Sequence, residues 1–139
     1  MSYAVEVKHV NEQPIKVVYG VATMANLPAR IRALFDQFYA GFQSKGELNI
    51  VFYPGWNAGE CEIACGVQVQ DHGNASTPAG TVATTVYMGP YEQMKPAHEA
   101  IHQWASENGR RLVGPSWEVY GHWSKDPAKL RTDIYYLIA

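Results

Sequence analysis

The stretch WEVYGHW at residues 117–123 has a counterpart in IVFYPGW at residues 50–56, 67 residues earlier in the chain. Both stretches are rich in the β-branched and aromatic residues that favour strands. Each has a Tyr at its fourth position and a Trp at its last. Val18-Tyr19 and Val86-Tyr87 form a second matched pair, at an offset of 68 residues. We infer an internal repeat, the alternative being coincidence in a chain rich in Tyr and Gly.

The elements around these stretches are predicted in the same order twice: strand, helix, strand, strand. Apolar residues at three- and four-residue spacing predict one helix that follows Asn26 and ends near Ser44. A second helix runs from about Lys95 to Asn108, with Pro96 in its first turn because Pro inside a helix costs about 3 kcal/mol. The predicted strands are Tyr3–His9, Ile15–Ala22, Asn49–Tyr53, Cys61–Gln70, Thr81–Met88, Ser116–Gly121 and Thr132–Ile138.

This order predicts an α+β fold of two pseudo-symmetric strand-helix-strand-strand units, at about residues 15–70 and 81–139, with antiparallel sheets. The whole chain, residues 1–139, then forms a single domain, in keeping with its length. Two such units pair about a pseudo-twofold axis and leave a central cleft, where ligand sites commonly form. Pro54-Gly55 predicts a turn, and the polar residues 71–80 predict a connection.

Strand alternation predicts which side chains share a face. Glu118 and Tyr120 point one way along their strand, and Trp117 and Val119 point the other way. We expect the fully apolar faces to pack under the helices. The other faces would then form an aromatic wall that contains acids, made of Tyr53, Glu118, Tyr120, Asp133 and Tyr135.

The composition indicates a folded protein with a net charge of −2, 47% hydrophobic residues and 17% charged residues. Nucleic-acid binding is disfavoured because it normally needs a basic excess. No signal peptide and no apolar run of membrane-spanning length is found, so no membrane partner is expected. Cys61 and Cys65 on one strand would lie roughly 13 Å apart, too far for a disulfide. A reducing cytoplasmic location is the simplest interpretation.

Several short stretches resemble the GyrI-like small-molecule-binding domain, also called the bacterial transcription-activator effector-binding domain. The resemblance covers nearly the whole chain and is strongest over residues 86–138, and the order and spacing of its motifs are more specific than any one motif. The motifs are Gly89-Pro90-Tyr91-Glu92-Gln93, Trp104 with Glu107-Asn108-Gly109, Gly114-Pro115 before Glu118 and Tyr120, Asp126-Pro127, and Thr132-Asp133-Ile134-Tyr135.

The resemblance implies a fold of two strand-helix-strand-strand units with a central ligand cleft. Family members occur fused to DNA-binding domains in multidrug-sensing regulators such as AraC-type proteins, and they also occur alone. This chain leaves no room for a DNA-binding domain, so we expect a stand-alone member. In multidrug-sensing members a cleft glutamate neutralises cationic lipophilic ligands, and Glu118 matches that position. Tyr135 matches an aromatic position, whereas Leu137 replaces a proline that many members carry.

Glu118 is the main candidate for a ligand-binding residue, because a carboxylate among aromatic rings attracts cations. The alternative for Glu118 is an exposed strand residue in a cross-strand pair. The aromatic candidates could equally be packing residues. They are Tyr53, Trp56, Tyr87, Tyr91, Tyr120 and Tyr135.

The segment His98-Glu99-Ala100-Ile101-His102 matches the HExxH zinc motif. Both histidines would share one side of a helix, with Glu118 or His122 as the nearest third ligand. Because three fixed letters in five residues arise easily by chance, we expect neither a metal nor another cofactor, and His98 and His102 remain a minor alternative.

The expected function is binding of a small lipophilic molecule, aromatic or cationic, without catalysis. One alternative is an enzyme that hydrolyses reactive cyclopropane-type toxins, with Glu118 handling the proton. Another is a protein-interaction module whose partner would be gyrase or a transcription regulator.

Overall fold

The computed structural model describes residues 3–57 and 59–139, without the side chains at 56 and 57. In this part of the chain eight strands and two helices follow one another, with short 3₁₀ turns at Tyr91–Gln93 and Pro127–Lys129. The elements are β1 (Glu6–Val10), β2 (Gln13–Thr23), α1 (Leu27–Ala40), β3 (Asn49–Asn57), β4 (Glu60–Gln68), β5 (Ala75–Thr77), β6 (Gly80–Met88), α2 (Lys95–Glu107), β7 (Leu112–Tyr120) and β8 (Arg131–Ile138).

The strands form one antiparallel sheet, curled into a half-barrel, in the order β1-β6-β8-β7-β3-β4-β2-β5. From the centre outward, β7-β8-β6 on one side corresponds to β3-β4-β2 on the other. The predicted α+β fold with two pseudo-symmetric strand-helix-strand-strand units is therefore confirmed. A single continuous sheet joins the two units, through the pairing of β3 with β7.

The central strand pair places Glu118 at the pseudo-twofold axis. Val51 of β3 lies directly opposite Glu118 of β7, while Tyr53 lies opposite Ser116 and Asn49 opposite Tyr120. At the repeat offset of 67 residues, Val51 and Glu118 are each other's counterparts, and so are Tyr53 and Tyr120. The axis therefore passes through the Val51–Glu118 pair, with the two matched tyrosines on either side of it.

Both helices pack on the same face of the sheet and leave the central strands between them. Helix α1 packs on β2 and β4, and α2 packs on β6 and β8. Each helix has its Pro in the first turn, as predicted for α2. Helix α1 ends at Ala40 rather than near Ser44, because the Gly41 N–H turns back to the Phe38 carbonyl at 3.2 Å.

The prediction that the fully apolar strand faces lie under the helices is wrong, because the curled sheet buries both of its faces. Glu118 and Tyr120 lie on the helix-bearing face, opposite Ile134 and Thr132 of β8. The other face forms a separate apolar core with its own buried side chains. That core includes Ile15, Val17, Ile50, Phe52, Ala64, Val82, Trp117 and Val119.

Tyr135 and Asp133 lie on this second face, which corrects the predicted aromatic wall. Tyr135 is directly opposite Trp117 in the β7–β8 pair, and Asp133 is opposite Val119. The Tyr135 and Trp117 rings stack with centroids 5.4 Å apart. The predicted wall implies a β7–β8 register one residue away from the observed one, and a shift of one residue exchanges the faces.

A one-residue shift also puts Tyr19 and Tyr87, the second matched pair of the repeat, on different faces of the sheet. Tyr19 is 53% exposed on β2, whereas Tyr87 is 4% exposed on β6, so the two are not structural counterparts. At the offset of 67 that relates β3 to β7, Gly20 corresponds to Tyr87. A side chain at Gly20 would meet Arg30 and Leu34 of α1, which explains why no bulky residue occupies that position.

The predicted turn at Pro54-Gly55 lies instead within β3. The register shifts between Phe52 and Gly55, and the strand then continues to pair with β4 up to Asn57. A bulge accommodates Pro54, which lacks the N–H that a regular strand position uses. Within residues 71–80 the structure adds the short strand β5, which pairs with the start of β2.

Candidate functional site

Glu118 is a buried carboxylate whose two oxygens each accept hydrogen bonds from the protein. Its side chain is 7% exposed. The Tyr120 hydroxyl lies 2.6 Å from Oε1 and the Tyr53 hydroxyl 3.3 Å from the same atom. The His98 Nε2 atom lies 2.6 Å from Oε2. An ionised carboxylate only accepts, so in this arrangement all three partners donate to it.

His98 reaches Glu118 from α2 and is fixed by a second contact. Its Nδ1 atom lies 2.7 Å from the hydroxyl of Tyr136 on β8. With the proton on Nε2, the imidazole donates to Glu118 and accepts from Tyr136, so every polar atom of the chain Tyr136–His98–Glu118 has a partner. Ala97 and Ile101, on the sheet-facing side of α2, are fully buried and hold this part of the helix on the sheet.

The tyrosines of the site keep their protons under ordinary conditions. Burial raises the pKa of Tyr53 and of Tyr120 well above the usual value, and the negative charge of Glu118 raises it further. The pKa of Tyr136 is raised by the same two causes in the same order. On the same sheet face, burial followed by the charge of Glu118 raises the pKa of the Cys65 thiol to about 12. The tyrosine hydroxyls around Glu118 are therefore neutral hydrogen-bond donors.

Further aromatic surface lies next to this network. The Tyr91 ring contacts the Tyr120 ring edge-on, with centroids 5.1 Å apart, and Tyr91 is 38% exposed. The ring of His102, one turn after His98 on α2, contacts Tyr136 with centroids 5.2 Å apart. Aromatic rings therefore extend from the buried carboxylate to exposed positions in the 3₁₀ turn before α2 and on α2 itself.

The family model of the GyrI-like small molecule binding domain matches residues 69–139, just over half of the chain. This chain belongs to the GyrI-like family. No sequence of a curated protein matches it.

Solved structures share the fold of this GyrI-like domain at low sequence identity. The EcmrR C-terminal domain is 20% identical with a TM-score of 0.70, covering 100% of this chain and 99% of that one. SAV2435 bound to tetraphenylphosphonium is 9% identical with a TM-score of 0.70, covering 100% and 94%. A hydrolase from Listeria innocua is 10% identical with a TM-score of 0.61, covering 99% and 93%.

Against the longer EcmrR chain in its complex with DNA, this GyrI-like domain spans 57% of the length. That match covers 98% of this chain at 19% identity, with a TM-score of 0.69. Neither helix in the described residues is long and apolar enough to cross a membrane.

Three of the predicted ligand-binding residues meet around the Glu118 carboxylate of this GyrI-like domain, and Tyr91 adjoins them. Tyr53, Tyr120 and Glu118 form one hydrogen-bonded group. Tyr87 lies under α2 instead, where its hydroxyl donates to the Pro90 carbonyl at 2.6 Å, and it lines a separate open groove with neighbours such as Met88. The side chain of Trp56 lies outside the described residues.

His98 and Tyr136 are the members of the group that sequence reasoning did not assign to it. The sequence gives His98 a possible function only through the zinc motif, although it lies next to Ala97 on the buried side of α2. Strand alternation puts Tyr136 on the face of Ile134, whereas the predicted wall groups Glu118 with Tyr135 on the other face of β8. The β7–β8 register decides this point, since it puts Ile134 opposite Glu118.

The HExxH motif does not assemble a zinc site in the structure. Within residues 3–57 and 59–139 no three His, Cys, Asp or Glu side chains gather as a metal-binding group. His98 is engaged by Glu118 and Tyr136, while His102 packs against the Tyr136 ring. Burial, followed by the neighbouring His98, lowers the pKa of His102.

Proposed function

We propose that this domain binds lipophilic small molecules, cationic or aromatic, over the Glu118 carboxylate. The observation that supports this most directly is the kind of partner that Glu118 has. Among the described residues that hydrogen-bond to it, two are tyrosines, one is a histidine and none is a Lys or Arg. In the part of the chain that the structure describes, an ionised Glu118 therefore has no Lys or Arg in hydrogen-bonding contact.

Such a carboxylate is costly for the fold, which supports a use for it. Burying a charge without a paired opposite charge costs free energy, and hydrogen bonds repay only part of that cost. A lipophilic cation that enters the site supplies the missing charge without carrying a tightly held water shell. The rings of Tyr53, Tyr91 and Tyr120 can each add about 0.5–2 kcal/mol of cation–π attraction. Tetraphenylphosphonium, the ligand in the SAV2435 structure, has this chemistry.

The decisive measurement is calorimetric titration of tetraphenylphosphonium into the wild type and Glu118→Gln. We expect Glu118→Gln to bind at least about tenfold more weakly, because it removes the charge and keeps the shape. Neutral triphenylphosphine oxide should bind both proteins about equally.

The matched control is Glu62→Gln, the same substitution at an exposed position of β4. It should bind tetraphenylphosphonium as the wild type does. Equal affinity of the wild type and Glu118→Gln for the cation would contradict the proposal.

Hydrolysis of strained, cyclopropane-type electrophiles is a second candidate function. The 2.6 Å contact between Glu118 and His98 favours it, because such a pair can take a proton from an attacking water. Turnover separates the two functions, since a binding protein consumes at most one equivalent of an electrophile per site. Repeated turnover that Glu118→Gln abolishes would establish the enzyme, and consumption that stops at one equivalent would exclude it.

A further inference from the structure

The two carboxylate oxygens of Glu118 have different hydrogen-bond partners. Oε1 accepts from two tyrosines that project from the central strands, whereas among the described residues Oε2 accepts from His98 alone. The side chain of His98 is 22% exposed, against 7% for that of Glu118. A ligand group that replaces the His98 Nε2 atom would therefore contact Oε2 directly, while the two tyrosine contacts with Oε1 stay in place.

His98 also differs from the tyrosines in its charge. Histidine gains a proton between pH 8 and pH 5, while the tyrosine hydroxyls remain neutral. Neutral His98 leaves the charge of Glu118 uncompensated, but an imidazolium at 2.6 Å is a cation already in place. A second cation would then enter a site whose charge is balanced, and it would be repelled by the imidazolium.

Every element packed around His98 places a titratable or charged group near it. Strand β7 contributes Glu118 and β8 contributes Tyr136, both in hydrogen-bonding contact. On α2 itself, His102 lies one turn away and interacts with His98 electrostatically. Glu99 faces solvent and pairs with Lys95 at 3.7 Å, so these two charges offset each other.

We propose that His98 is a specificity-determining residue that competes with cationic ligands for Glu118. In its neutral form it admits them, and in its protonated form it excludes them. Neutral aromatic ligands, which need no counter-charge, bind in both states. This inference rests on the proposed function and adds to it a residue and a pH dependence.

The test measures tetraphenylphosphonium affinity at pH 8 and pH 5.5 for the wild type, His98→Gln and His102→Gln. We expect the wild type to lose about tenfold or more in affinity at pH 5.5, because a protonated His98 would hold Oε2 and repel the incoming cation. His98→Gln should lose less than about threefold. His102→Gln, a matched substitution one turn along α2, should behave like the wild type. Triphenylphosphine oxide should show little pH dependence in all three proteins.

Protonation of Glu118 itself at pH 5.5 would weaken binding in His98→Gln as much as in the wild type. A loss that occurs in the wild type and is absent from His98→Gln is therefore due to His98. The number of protons released on binding is a second measurement, and it uses the wild-type protein. At pH 6, wild-type titrations in buffers of different ionisation enthalpy should show that cation binding releases a substantial fraction of a proton.

Equal pH dependence in the wild type and His98→Gln, or binding at pH 6 without proton release, would overturn the role of His98 and leave the proposed function standing. If tetraphenylphosphonium fails to bind the wild type and His98→Gln even at pH 8, the proposed function fails, and the competition fails with it.

Discussion

At the scale of single residues, the site depends on how three donors share one carboxylate. Tyr120 and Tyr53 are repeat counterparts, yet their contacts with Oε1 differ in length, at 2.6 Å and 3.3 Å. The inequality follows from the sequence at the axis. Only one of the two counterpart positions, Glu118, carries the acid, while the other is Val51, so the symmetry of the backbone is not shared by the side chains.

Removing the Tyr120 hydroxyl should destabilise the protein more than removing that of Tyr53. A hydrogen bond to a charged group contributes about 1.5–3 kcal/mol, and the shorter bond carries more of this. We expect Tyr120→Phe to lower the free energy of unfolding by about 1–2 kcal/mol and Tyr53→Phe by less than about 1 kcal/mol. Urea denaturation monitored by circular dichroism measures both values, and the reverse order would contradict the assigned geometry.

At the scale of elements, the close approach of β2 and β4 stabilises the first strand-helix-strand-strand unit. A Cβ atom at Gly66 would lie 1.9 Å from the Lys16 carbonyl oxygen, which is backbone and cannot move aside alone. This strand pair carries α1, as the β6–β8 pair carries α2. The position of each helix beside the central strands is thus set by the packing of the strands below it.

Gly66→Ala should therefore be severely destabilising. We expect a loss of about 3 kcal/mol or more, or failure to fold, because the two strands must separate to admit the methyl group. Gly41→Ala is the matched control, since nothing lies within 4 Å of a Cβ there and its φ of −121° suits alanine. Thermal denaturation compares the two proteins, and similar melting temperatures would show that β2 and β4 can readjust.

At the scale of the whole molecule, the helix-bearing face concentrates weak acids that are buried in their neutral form. Burial, followed by the charge of Glu118, raises the pKa of Tyr53 and Tyr120. The pKa of Cys65 rises to about 12, and burial raises that of Cys61 to about 11. These groups keep their protons to a higher pH in the folded state than in the unfolded chain.

The stability should therefore fall at alkaline pH. Above about pH 9 for the thiols and about pH 10 for the phenols, the unfolded chain binds fewer protons than the folded one, so the free energy of unfolding decreases as pH rises. Below these values the contribution is fully present. Urea denaturation at pH 8, 9.5 and 10.5 should show a progressive loss in the wild type. Tyr53→Phe should show a shallower loss, and a stability that stays constant up to pH 10.5 would contradict the burial of these groups.

The sequence alone predicted the two helices, seven of the eight strands and their order, and it pointed to Glu118 as the acid. Alternating β-branched and aromatic residues define strands locally, and the repeat of WEVYGHW with IVFYPGW implied two related units. These features depend on neighbours along the chain. The GyrI-like resemblance pointed to Glu118 and Tyr135, whereas strand alternation and the repeat put Tyr53 and Tyr120 on the face of Glu118.

Only the tertiary structure decided which residues meet Glu118. The register between β7 and β8 placed Tyr136 on its face and Tyr135 on the opposite one, and a one-residue shift would have exchanged them. Register depends on pairing between distant segments, which alternation within one strand does not specify. The rotation of α2 on β6 and β8 brought His98 onto the carboxylate, since a residue beside the apolar stripe of a helix contacts whatever the packed sheet presents there.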